Sequence, residues 1–99
     1  MIVIKKGTYV IVRTYSAGVF AGEIVERQGS EVSLNNARRL WYWKGAASLS
    51  ELAMKGVKKP ADCKFPAPVK NVVLLQAIEI LPVEAIARES IERVTPWTA

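Results

Sequence analysis

Two stretches of strict alternation, joined by three small residues, do most to decide what this chain can fold into. Residues 8–15 set Tyr9, Ile11, Arg13 and Tyr15 against Val10, Val12 and Thr14, and residues 19–27 set Phe20, Gly22 and Ile24 against Ala21, Glu23 and Val25. A period of two carried by β-branched and aromatic side chains predicts two strands. The link Ser16-Ala17-Gly18 is too short for a crossover, so the strands must run antiparallel. Gln28-Gly29 predicts a second tight turn into a strand over residues 31–34, Asn35-Asn36 a third turn, and residues 37–43 a further strand. The opening, residues 1–7, reads as an additional strand. Its lysines follow the apolar residues, the reverse of a secretory signal.

The period changes after Lys44. Ser48-Leu49-Ser50-Glu51 predicts a capping box, with the Ser48 hydroxyl meeting the amide three residues on, and Gly56 ends this short helix. Residues 57–69 carry three prolines and form a loop, pinned to the core by Phe65. Residues 71–81 are so continuously apolar that a central strand covered on both faces is expected. Beyond Pro82, the stripe Val83, Ile86, Ala87, Ser90, Ile91 and Val94 predicts a last helix against the sheet, with Glu84–Arg88 and Glu89–Arg93 as i, i+4 pairs. The expected fold is therefore α+β, over a single domain of residues 1–99: an antiparallel meander, a short helix after the fourth or fifth strand, and a C-terminal helix packed on the sheet. A hydrophobic share of 51% is enough to close one core without cross-links.

Net charge is +5, but eight of the basic side chains fall within residues 38–70 against only Glu51 and Asp62. A basic middle beside a near-neutral remainder attracts phosphates or an acidic partner, and it also serves simply to keep an apolar small protein in solution. No apolar run approaches the roughly 18 residues that span a membrane. The single cysteine, Cys63, has no partner for an internal disulfide, which fits a reducing compartment. The cytoplasm is the expected location, that of a host cell if the gene is viral.

With no histidine and one cysteine, the chain lacks the usual zinc ligands, imidazole acid–base groups and Ser-His or Cys-His nucleophile pairs. The nearest carboxylate pair, Glu23 and Glu26, lies three apart in a strand and so is expected on opposite faces. Gly18-Val19-Phe20-Ala21-Gly22 has neither the spacing nor the setting of a dinucleotide loop, and its glycines fit a turn and a close sheet contact. A non-enzymatic binding protein without cofactor or metal is expected.

The residues that point to a ligand are Arg39, Trp41 and Trp43, which share one face of the expected strand, followed by Lys44 and the amino end of the Ser48 helix. Guanidinium beside indole suits a nucleotide, the arginine taking phosphate and the indole a base, while a helix start offers free amides to an anion. The same residue types also fill cores and subunit interfaces. Leu40 and Tyr42 look better suited to the core than the tryptophans. Arg13 and Tyr15, on one face at the first turn, complete the candidate site or merely flank a hairpin.

The segments Arg13-Thr14-Tyr15-Ser16-Ala17-Gly18-Val19-Phe20-Ala21-Gly22, residues 36–53 and Cys63-Lys64-Phe65-Pro66 resemble small proteins encoded by tailed phages and prophages. Those proteins are mostly of unknown function. The resemblance implies a viral origin and no catalytic residue. Small phage accessory proteins often act stoichiometrically, which leaves three expectations in order: sequestration of an anionic nucleotide-like molecule such as a host immune signal, a nucleic-acid-binding module, and an inhibitor of a host defence protein. The excess of large apolar side chains, Trp41, Trp43 and Trp97 among them, predicts a homo-oligomer.

Overall fold

In the computed structural model, which describes residues 4–98, the first two alternating stretches form β1 (Tyr9–Thr14) and β2 (Val19–Gln28), paired antiparallel as expected. They are followed by β3 (Glu31–Arg39), α1 (Leu49–Lys55), a short 3-10 turn (Pro60–Asp62), β4 (Val69–Leu74), β5 (Ala77–Pro82) and α2 (Ala85–Arg93). The fold is α+β, with a five-stranded antiparallel sheet in the order β4-β3-β2-β1-β5.

That order dictates the shape. β4 and β5 follow one another with only Leu75 and Gln76 between them, yet they occupy opposite edges of the sheet. A flat sheet cannot satisfy both facts, so the sheet curls until its edges approach, as a half-open barrel. Ser30 ties the two edges at one end: its carbonyl accepts from the Ala77 amide at 2.9 Å and its hydroxyl donates to the Leu75 carbonyl at 3.3 Å. The long strand β2 bends to allow this, with bulges in its pairing to β3 near Gly22 and Val25.

Curling gives the sheet two buried faces. Val10, Val12, Phe20, Ile24, Val32, Leu34, Ala37 and Leu74 fill the inside. Tyr9, Ile11, Ala21 and Leu40 face outward onto Leu52, Ala53, Phe65, Ile91 and Val94 from the helical layer. β1 lies between both cores, which is why Tyr9 to Val12 are all buried. Phe65 is fully buried and anchors the proline-rich loop, contributing about 1.5–3 kcal/mol by burial.

Several expectations are corrected. Of the strand expected over residues 1–7, Met1–Val3 lie outside the described residues and Ile4–Gly7 form no strand; Gly7 instead donates to the Ile24 carbonyl at 2.8 Å. Asn35-Asn36 is not a turn: β3 runs through it to Arg39, absorbing Asn36 as an extra residue with φ 49°. The strands expected over 31–34 and 37–43 are therefore one strand to Arg39, and the short helix follows the third strand. Residues 71–81 are not one covered central strand but parts of two edge strands. Their apolar residues Val73, Leu75 and Ile78 are more than half exposed.

The helices are capped largely as the sequence predicts. The Glu51 amide donates to the Ser48 hydroxyl at 3.1 Å, and the Glu51 carboxylate reaches back to the Ala47 amide at 3.1 Å. Gly56, at φ 76°, closes α1. A Cβ there would stand 2.5 Å from the Ser90 Cβ, so glycine also lets α1 pack on α2. On α2, Ala87 and Ile91 are buried while Ile86 faces solvent. Arg88 pairs with Glu23 at 3.0 Å and Glu92 at 3.3 Å instead of Glu84, and Glu89–Arg93 stands at 4.0 Å.

Candidate functional site

The β1–β2 turn and the end of β3 meet at one end of the sheet. Thr14 closes the turn: its hydroxyl donates to the Gly18 carbonyl at 2.8 Å and accepts from the Ala17 amide at 2.9 Å. Gly18 takes φ 93°, which an L side chain would resist. Across from it Arg39 pairs with Phe20, and the Leu40 amide donates to the Val19 carbonyl at 2.8 Å. This brings the chain beyond β3 back over the turn.

Arg39 is held from two sides. Its Nη1 donates to the Ala17 carbonyl at 2.6 Å, and its guanidinium carbon stands 4.3 Å from the centre of the Phe20 ring. No carboxylate lies within ion-pair distance of it among the described residues. Arg39, Trp41 and Trp43, with Leu40 and the Ser16–Val19 turn, surround an open hollow of about 540 Å³ that contains no acidic side chain. Trp43 packs its partly buried ring against the outer core, whereas Trp41 is 64% exposed.

The structure thus brings together three of the seven residues singled out in the sequence and leaves four outside the lining. Arg13 is engaged with Glu79 at 2.9 Å, and Tyr15 is exposed beside the turn. Lys44 is exposed, and its carbonyl faces the Cys63 sulfur at 3.7 Å. Ser48 is spent on its own helix, where its hydroxyl accepts from the Glu51 amide, while the Glu51 carboxylate is turned back onto the Ala47 amide just before the cap. With seven residues, α1 is too short to offer a further anion site. Leu40 is buried as expected, but Tyr42 is not, being 42% exposed.

Alternation assigns Arg38 to the face of Leu40 and Tyr42 but does not foretell its role. It is 4% exposed, and its guanidinium donates to four backbone carbonyls: Phe65 at 3.0 Å, Pro66 at 3.0 Å, Ile91 at 2.8 Å and Val94. Burial pulls its pKa below the usual guanidinium value, with Tyr9 acting weakly in the other direction. Its pairing with the small Ala21 leaves room for the guanidinium on the crowded outer face. That signal is readable only once the register is known.

The remaining charges are dispersed. Lys64 sits 5.8 Å from the Tyr42 ring centre and 5.5 Å from that of Trp97, pinning the tail that follows α2. A second hollow of about 530 Å³, lined by Pro60, Cys63, Arg93 and Trp97, lies beside it. Glu23 is bonded to Arg88 and Asn36, which hold its carboxyl below the usual range. Glu26 lines a different hollow with Gln28 and Glu31. The bulge between Ile24 and Glu26 breaks the alternation that would put these carboxylates on opposite faces, yet Glu23 is taken up by Arg88 and Asn36 and Glu26 is not among the groups that act on its carboxyl.

Among the described residues there is no cluster of three or more metal-ligating side chains, and no helix is long and apolar enough to cross a membrane. No curated protein and no solved structure matches the chain. The model of the domain of unknown function DUF6948 matches residues 7–91, nearly the whole of the fold just described, and the chain belongs to that family.

Proposed function

We propose that this protein is a non-catalytic binder that sequesters a small anionic, nucleotide-like ligand in the hollow at the β1–β2 turn. The observation that carries this reading is the position of Arg39, a guanidinium without a carboxylate partner among the described residues, sharing with two indoles a concave surface free of acidic groups. An arginine takes a phosphate by paired hydrogen bonds, and an indole offers a stacking surface to a base. The resemblance to small phage proteins supports a stoichiometric role, in which the ligand is a host signalling nucleotide withdrawn from its receptor. A nucleic-acid track is less well supported. The basic segment is divided between a buried clamp at Arg38, the hollow at Arg39, the tail contact at Lys64 and the β4 edge at Lys70, whereas non-specific binding recruits many phosphate contacts from one broad face.

Titration of the tryptophan fluorescence with mono-, di- and cyclic nucleotides tests the reading. Saturable binding at one ligand per chain is expected, weakened about tenfold or more by Arg39→Ala. Arg93→Ala, at the second hollow, should leave it unchanged. Absence of saturable binding across the panel, or equal loss in both variants, overturns the assignment.

A further inference from the structure

Resting on that reading, we infer that the hollow is built for a ligand presenting a single phosphate, a mononucleotide or a phosphodiester, and discriminates against polyphosphates. Arg39 is the only charged side chain in its lining. A guanidinium carries five N–H donors in a rigid fork. One nitrogen, Nη1, is committed to the Ala17 carbonyl, and the group is steadied by the Phe20 ring. The Nε and Nη2 edge has no protein acceptor among the described residues, and such an edge matches two oxygens of one phosphoryl group. Because the Ala17 carbonyl and the Phe20 ring already fix the guanidinium, binding a first phosphate costs little side-chain freedom.

A second or third phosphate would find no further cation in the hollow. The other nearby cations do not line it: Arg38 is spent on buried backbone carbonyls, Arg13 is paired with Glu79, and Lys44 lies outside the lining. Extra phosphates would have to remain in solvent. They would add charge without adding contacts. The rest of the lining, two indoles with Leu40, Val19 and the Ala17-Gly18 backbone, suits the flat and less polar part of the ligand.

Adenosine, AMP and magnesium-free ATP, titrated into the full chain under the same ionic strength, test this. AMP should bind at least as tightly as ATP and about tenfold or more tighter than adenosine. Arg39→Ala should abolish the difference between AMP and adenosine. ATP binding more tightly than AMP overturns the single-phosphate inference and leaves an anion-binding nucleotide hollow standing, whereas AMP binding no better than adenosine overturns the phosphate role of Arg39 and with it the proposed function. Failure of all three to bind overturns the proposed function as well.

Discussion

Arg38→Met is the sharpest test of how this fold is held together. The methionine keeps an unbranched apolar stem in the space between Ala21 and the helical layer, but removes the charge and the donors that reach Phe65, Pro66, Ile91 and Val94. A hydrogen bond to a charged group contributes about 1.5–3 kcal/mol, and four sharing one guanidinium are not additive. Part of their worth is already offset by the cost of burying the ion. What decides the sign is that the substitution takes away the donor and leaves the carbonyls, two of them at the C-terminal end of α2, where a cation also suits the helix dipole. A loss of about 3–5 kcal/mol is expected, as for one member of a buried polar cluster. For a domain of this size each kcal/mol lowers the melting temperature by about 4–8 °C, so the midpoint should fall by roughly 12–40 °C. Arg38→Lys, which keeps the charge but lacks the planar fork, should fall between. Urea and thermal unfolding followed by circular dichroism measure both. A loss below about 1 kcal/mol for Arg38→Met, with an unchanged urea slope, would refute the clamp.

Gly22→Ala should destabilise by about 1–3 kcal/mol, because a Cβ would meet the Asn35 carbonyl at 2.9 Å and the Ala37 Cα at 3.1 Å; urea unfolding reads this directly. Burial, and secondarily Glu92, raise the Tyr9 hydroxyl from 10 to about 12. An unfolded chain therefore sheds this proton first, so stability should fall between pH 10 and about 12, and Tyr9→Phe should flatten that part of the profile while keeping the ring beneath Arg88. Light scattering at tens of micromolar should report a dimer or higher species. Trp41, the edge-strand residues Val69, Val73 and Ile78, and Leu75 in the link between those strands leave apolar surface that a second copy would cover, and a monomer would remove this expectation.

How much of this was legible in the sequence turns on one residue. Alternation and short turns suffice for β1, β2 and their pairing, and the Ser48 box and Gly56 suffice for α1, because those signals are local. The continuous apolar run at 71–81 misleads because hydrophobicity without periodicity does not say whether a segment is central or at an edge; its break at Leu75-Gln76 follows from barrel closure, a property of the whole sheet. The candidate site depends on Asn36. In β3, Leu34 points into the barrel, and unbroken alternation would send Arg38 inward too, among Val10, Val12 and Phe20. Asn36 enters as an extra residue with φ 49°, opposite Gly22, whose missing side chain lets the flanking Asn35 carbonyl and Ala37 Cα come close. Parity then reverses: Ala37 turns inward, Arg38 outward onto the carbonyls of α2, and Arg39 onto the Phe20 ring at the mouth of the hollow. One inserted residue thus gives two adjacent arginines opposite fates, one as an internal clamp and the other as the cation of the candidate site. Asn-Asn reads as a turn from sequence because a turn and a bulge ask the same of the backbone, a residue content with positive φ. Only the partner strand, with glycine at position 22, distinguishes them.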